Sequence, residues 1–141
     1  MNLHKVALIG YGYWGKVLAR KLSTHKCLKI CKVFSRKFVS DGFFTQSLKE
    51  IFTNDEIESV LIASPFDTHY SLTMEALRSN KNVFCEKPLT FYPSEINDVE
   101  LIKNINNKIV FVNYTYIIDE DFKQIIKDMP SGDIIKINLR M

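Results

Sequence analysis

The sequence is short of the features that mark several large classes of protein. It has only three cysteines, Cys27, Cys31 and Cys85. An odd number, without metal-ligand spacing to His or to one another, makes neither a disulfide framework nor a metal site, and reads as reduced thiols in a cytoplasmic protein. Four prolines and five glycines leave no tract that could be low-complexity or linker. Apolar runs are brief: Val60–Ala63 and Ile109–Val112 are among the longest, far below the roughly 20 residues a membrane-spanning helix needs. At the N-terminus Lys5 is followed by only Val6–Ile9 before a glycine, too little for a secretory signal. Charge of one sign is lacking as well. Nineteen Lys plus Arg against 16 Asp plus Glu leave a scattered formal +3, without the footprint of a nucleic-acid binder. What is present is one domain's worth of chain, 141 residues, with ten Phe, six Tyr and one Trp. That is ample apolar surface to offset chain entropy.

The pattern alternates. His4–Ile9, Leu28–Phe34, Ser59–Ala63, Asn82–Glu86 and Ile109–Val112 are short apolar segments punctuated by glycine, proline or polar turns, and read as strands. In Leu28–Phe34 the alternation is imperfect, with Lys32 where an apolar residue is due. Between them lie helical patterns. Val17, Leu18 and Leu22 share a face; a short helical piece covers Ser47–Phe52 after an Asp41–Gly42 loop; Tyr70, Met74 and Leu77 mark a helix from about Thr68 to Ser79, closed by Asn80. Ser94 is placed to cap a helix carrying Ile96, Val99, Ile102 and Ile105. Phe122, Ile125, Ile126 and Met129 give a last helix, stopped by Pro130 and Gly132, before a half-exposed strand over Asp133–Leu139. Buried strands alternating with amphipathic helices predict an α/β fold, doubly wound around a mainly parallel sheet.

Of the five glycines, Gly10, Gly12 and Gly15 fall within six residues, as Gly10-Tyr11-Gly12-Tyr13-Trp14-Gly15. The match to G-x-G-x-x-G follows a predicted strand and opens a predicted helix, which is the context dinucleotide binding requires. The first glycine permits the turn, the second lets backbone approach a pyrophosphate, and the third lets helix and strand pack closely. Free N–H groups and the positive dipole end of the helix then face the phosphates, with Tyr13 and Trp14 in that first turn. The end of the second strand, about 20 residues on, reads the adenosine ribose in such folds. Here it carries Ser35-Arg36-Lys37 instead of an acidic residue. A guanidinium that forks to a phosphate favours NADP, with NAD left open.

Two further stretches follow: Val60-Leu61-Ile62-Ala63-Ser64-Pro65 with His69, and Val83-Phe84-Cys85-Glu86-Lys87-Pro88. With the glycine turn they resemble the Gfo/Idh/MocA family, named for glucose–fructose oxidoreductase and inositol dehydrogenase. Its cofactor domain, a Rossmann-like fold, carries a glycine-rich turn, then A-[ST]-P-x-x-x-H, then E-K-P, in this order and at similar spacing. The resemblance runs to about Asp133. It implies that Ser64 and Pro65 line the cofactor groove, with His69 beside it at the start of the next helix. It implies that Glu86, Lys87 and Pro88 form the loop under the nicotinamide, the Lys87–Pro88 peptide being a candidate for the cis form. Lys87 would face the reacting carbon and hydroxyl as the proton-transfer group, and Tyr114 would stand on the substrate side. The chain departs from the pattern at Phe66, where the family often has Asn, and around Asn80–Asn82, where a glycine is usual. Tyr116–Asp121 also matches poorly.

The family carries a second α/β domain with most substrate contacts and the oligomer surface. Residues 1–131 are therefore expected to form the dinucleotide-binding domain, and residues 132–141 the connection into a substrate domain. By resemblance the chain is the cofactor half of an oxidoreductase that moves hydride between NAD(P) and a secondary alcohol of a sugar, cyclitol or nucleotide-sugar. A stand-alone dinucleotide-binding or regulatory module is the alternative. The expected partners are the cofactor and a small sugar-like substrate, with no metal, nucleic acid or membrane. Tyr114, Tyr116, Ile117 and Ile118 are candidates for an apolar face that would pair two copies into a homodimer.

Overall fold

The computed structural model describes residues 3–37, 42–115 and 119–128. In chain order they form β1 (His4–Ile9), α1 (Tyr13–Leu22), β2 (Leu28–Phe34), β3 (Phe44–Thr45), α2 (Leu48–Phe52), β4 (Ser59–Ile62), a 3-10 turn (Phe66–Thr68), α3 (His69–Arg78), β5 (Asn82–Glu86), α4 (Pro93–Ile105), β6 (Val110–Asn113) and α5 (Glu120–Asp128). The six strands make one sheet in the order β3-β2-β1-β4-β5-β6, and every pairing is parallel. This is the predicted doubly wound sheet. Chain direction across the sheet reverses between β1 and β4, which opens a crevice at the carboxyl ends of those strands.

Alternation along the strands supplies both faces with core. Ala7, Ile9, Val60, Ile62, Val83 and Cys85 pack one way, against Ile51, Phe52, Leu72, Met74, Leu77 and Val99 of α2, α3 and α4. Val6, Leu8, Val33 and Leu61 pack the other way, with Leu18, Ala19 and Leu22 of α1 against them. The imperfect alternation of β2 has a structural cause. The register jumps from Val6↔Ile30 to Ala7↔Lys32, so Cys31 is bulged out and the parity changes beyond it. Leu28, Ile30 and Val33 consequently share a face, while Cys31 and Phe34 take the other.

Three expectations need correction. β3 was expected as loop; two residues carry no period, and the strand exists because Phe44 and Thr45 pair with Val33 and Phe34. Ser94 is not the cap of α4. The helix begins at Pro93 with Tyr92 at the N-cap, proline being suited to the first helical position. Of the three-residue series on α4, only Val99 is fully buried, while Ile96 and Ile105 are exposed. Steps of three against 3.6 residues per turn drift around the helix, so such a series cannot hold one face. Asn80 does close α3 as expected, at φ 61°.

The helix expected around Phe122 is present as α5. Met129, Pro130, Gly132, the Asp133–Leu139 strand and Tyr116–Ile118 lie outside the described residues. Among the described residues no helix is long and apolar enough to cross a membrane.

Candidate functional site

Parallel register brings the motifs together. Ile9 pairs with Phe34 and with Ile62, Ile62 with Cys85, and Glu86 with Asn113. The residues that follow these positions (Gly10, Ser35, Ala63, Lys87 and Tyr114) therefore emerge along one edge of the sheet, although they span most of the sequence.

The glycines at the first of these ends differ in what holds them. Gly10 has φ +101°, and a Cβ there would lie 2.6 Å from the Ala63 carbonyl oxygen. At Gly15, packed under the turn, a Cβ would lie 2.0 Å from the Gly10 carbonyl oxygen. Gly12 is neither strained nor crowded: a Cβ would meet nothing within 4 Å. Its missing side chain leaves open space over the backbone at the start of α1. There the helix has no side-chain cap and no acidic residue in its first turn, so its free N–H groups are available to an anion.

A groove of about 740 Å³ runs from this turn. It is lined by Gly10, Tyr11, Gly12, Tyr13, Trp14, Lys16, Phe34, Ser35, Arg36, Lys37, Ala63, Ser64 and Pro65. Nine of the residues expected to bind cofactor thus share one wall-to-wall space. The lining holds three cations, Lys16, Arg36 and Lys37, and no carboxylate. At the β2 end the loop is ordered by its own polar groups. The Lys37 N–H donates to Ser35 Oγ at 3.2 Å and Gln46 Nε2 donates to the Arg36 carbonyl at 2.8 Å, which leaves both cationic heads exposed. At the β4 end the Thr68 hydroxyl donates to the Pro65 carbonyl at 2.7 Å. Its single hydrogen being spent, the 2.7 Å contact with Ser64 Oγ makes Ser64 the donor there.

His69 stands beside the groove at the start of α3 and does not line it. It is 2% exposed, with Nδ1 2.7 Å from the Pro88 carbonyl and Nε2 2.9 Å from the Ser64 carbonyl. Both polar atoms are occupied by backbone beneath the groove. Glu86 is turned aside as well: its Oε1 accepts from Asn113 Nδ2 at 2.9 Å. Lys87 is exposed and makes no hydrogen bond or ion pair among the described residues, and the Lys87–Pro88 peptide is cis. Tyr114, 44% exposed, follows Asn113 at the same edge. Lys16, Gln46, Thr68 and Asn113 are the contributors that motif reading passes over. Only Lys16 had a signal, as the residue following the last glycine.

Just beneath the lysine turn, burial pushes the Cys85 thiol up to about 12, against a smaller opposing pull from the Thr73 hydroxyl. At the opposite edge of the sheet, burial lowers the pKa of Lys81, whose Nζ donates to the Asn54 carbonyl at 2.6 Å. Among the described residues no group of three or more His, Cys, Asp or Glu is placed to hold a metal ion.

The arrangement suits an elongated anionic ligand: open backbone at Gly12, a helix N-terminus, and three cations along one groove. Comparison with known proteins agrees. Residues 4–114 match the model of an oxidoreductase family described as an NAD-binding Rossmann fold. The chain is 29% identical over 142 aligned residues to the scyllo-inositol 2-dehydrogenase (NADP(+)) IolW of Bacillus subtilis, covering 95% of this chain and 39% of that protein. It is 34% identical over 73 residues to an inositol 2-dehydrogenase of Rubrobacter xylanophilus, covering 52% of this chain and 19% of that protein. Among solved structures, an oxidoreductase from Bacillus cereus superposes with TM-score 0.78 at 24% identity, over 89% of this chain and 39% of that one. The myo-inositol 2-dehydrogenase of Lactobacillus plantarum superposes with TM-score 0.76 at 21% identity, over 89% and 40%. The chain therefore spans well under half the length of the relatives it matches.

Proposed function

Since the chain belongs to the Gfo/Idh/MocA oxidoreductase family, we propose that it is the NADP-binding part of an enzyme that oxidises a secondary alcohol of a sugar, cyclitol or nucleotide-sugar, or reduces the matching ketone. The observation that carries this reading is the groove at the β1–β4 crevice, with Gly12 open and Lys16, Arg36 and Lys37 facing it without a carboxylate. An acidic residue at the end of β2 would accept from a ribose 2′-hydroxyl; two cations there instead meet a 2′-phosphate. The NADP(+) in the name of the Bacillus subtilis relative is in keeping with this.

Each residue then has a task. Backbone at Gly10–Gly12 and the first turn of α1 hold the pyrophosphate, Arg36 and Lys37 hold the 2′-phosphate with Ser35 donating its hydroxyl, and Ser64 and Pro65 wall the groove. When bound, the nicotinamide supplies the hydride chemistry. The protein's own contribution is the exposed, unpaired amine of Lys87, which takes the proton of the alcohol on oxidation and returns one on reduction. Tyr114 stands at the same edge on the substrate side. A binding module without turnover would have no use for an unpaired amine at that place. The reading is tested by titrating the chain with NADPH and NADH, followed by fluorescence. NADPH binding at least about tenfold tighter is expected, with the preference abolished in Arg36→Ala. No saturable binding of either, or a ratio unchanged by Arg36→Ala, overturns it.

A further inference from the structure

We propose that His69 is a positioning residue, fastening the Ser64–Pro65 turn to the Lys87–Pro88 turn so that both present one continuous surface to the nicotinamide end of the ligand. This rests on the reading of the groove as a dinucleotide site. The imidazole lies at the first position of α3, almost fully buried. Its two nitrogens stand 2.9 and 2.7 Å from backbone carbonyls of exactly one residue in each turn, Ser64 and Pro88. Both partners are carbonyl oxygens, which only accept, so a neutral ring donates to one of the two turns and a ring carrying both protons donates to both. Among the described residues no other side chain stands at hydrogen-bonding distance from both turns.

The two turns belong to different strands, and what each carries outward is distinct. The first is set on its outer side by the Ser64–Thr68–Pro65 hydroxyl chain. The second is set on its far side by the Asn113 amide on Glu86, and between these anchors it holds out Lys87. Without the imidazole each turn keeps its own local anchor but loses its tie to the other. Displacement by about 1 Å at a reacting group is enough to cost on the order of a hundredfold in rate, so a bridge of this kind matters more to the site than to the core. The glycine turn and the Ser35–Lys37 loop receive no hydrogen bond from His69.

That division supplies the test. The 141-residue chain and its His69→Leu variant are titrated with NADPH and with adenosine 2′,5′-bisphosphate, which carries the 2′-phosphate but lacks the nicotinamide half. Leucine fills the volume and donates nothing. His69→Leu is expected to weaken NADPH about tenfold, the scale of one or two lost hydrogen bonds, and to leave the bisphosphate within about twofold. Equal losses for both ligands, or no loss for either, overturn the proposal. Failure of the unsubstituted chain to bind either ligand would instead remove the dinucleotide reading beneath it. Should His69→Leu not fold, the unsubstituted chain decides by NMR, with only three histidines to assign. The His69 ring nitrogen signals are expected to shift on adding NADPH and to stay in place with the bisphosphate; signals indifferent to both, or equally moved by both, overturn the proposal.

Discussion

Replacing Gly12 and Gly15 by alanine, one at a time, should separate what the glycine turn does for the fold from what it does for the ligand. At Gly15 the added methyl would stand 2.0 Å from the Gly10 carbonyl oxygen. That neighbour is backbone, and it is itself held by a turn whose φ of +101° suits only glycine. Neither group can swing aside, so the cost belongs at the upper end of the roughly 1–3 kcal/mol for overpacking, about 3 kcal/mol. For a domain of this size that lowers Tm by about 12 °C. At Gly12 the methyl meets nothing within 4 Å, and φ −78°, ψ −159° is extended backbone that alanine adopts. Alanine is a poorer N-cap than glycine by roughly 0.5 kcal/mol, but restricting the unfolded chain returns about 0.4–1 kcal/mol. Stability should therefore stay within about 0.5 kcal/mol of the parent. Binding should behave in the opposite sense. The methyl of Gly12→Ala would take up open space at the start of α1 and should weaken NADPH by about ten- to a hundredfold, the scale of one charge-assisted hydrogen bond or two weaker ones. Circular dichroism melts and fluorescence titrations of the two variants decide the matter. If Gly12→Ala melts with Gly15→Ala, or binds NADPH as tightly as the parent, then Gly12 shapes the turn and nothing more.

Two further outcomes follow from exposure and charge. On the proposed reading, Lys87→Met should lower kcat of a cofactor-reducing activity by roughly 10²–10⁴ while moving NADPH affinity less than about threefold; a fully active Lys87→Met, assayed by cofactor reduction against cyclitols and sugars, would remove Lys87 from the chemistry. Among the thiols, exposed Cys27 should react first with a maleimide at pH 8, Cys31 more slowly because burial raises its pKa, and Cys85 only on unfolding. The Cys85 shift is upward, from 9.0 to about 12, so its contribution to stability is complete below pH 9 and is lost as pH rises towards 12. Prompt labelling of Cys85 in the native protein, read by mass spectrometry, would contradict its burial.

How much of this was legible in the sequence depends on the range over which each feature is determined. β1, β4, β5 and α3 are fixed by local periodicity and by breakers such as Asn80, and they read correctly. So did the glycine turn, because its strand and helix flank it directly. β3 did not, since a two-residue strand is created by its neighbour β2 and has no pattern of its own. Nor did the bulge at Cys31, which shows in sequence only as a lysine out of step and becomes interpretable once β1 supplies the register. For the site, motif reading placed Ser64, Pro65 and Arg36 along one groove but gave no sign of the partners that hold His69 and Glu86. A residue's proximity to a groove follows from topology, whereas the direction of its side chain follows from partners such as the Pro88 carbonyl and Asn113, which come from other strands.

The distribution of paired and unpaired charge also favours a ligand site over an inert scaffold. At the edge where the parallel strands begin, several polar side chains are paired. Lys5 Nζ lies 2.9 Å from Glu56, His4 is 2.9 Å from Glu58 and 2.8 Å from Ser59, and Lys81 donates to Asn54. At the edge where the strands end, Arg36, Lys37 and Lys87 have no ion-pair partner among the described residues, and α1 adds its positive dipole end beside them. Exposed ion pairs are individually worth little, about 0–1 kcal/mol, so leaving these cations unpaired costs the fold little. The carboxylates nearest this edge, Asp67 and Glu86, do not line the groove, and Glu86 is held by Asn113. An edge left positive on both counts is complementary to an anion brought from solution, and the open backbone at Gly12 lies where that anion would meet it.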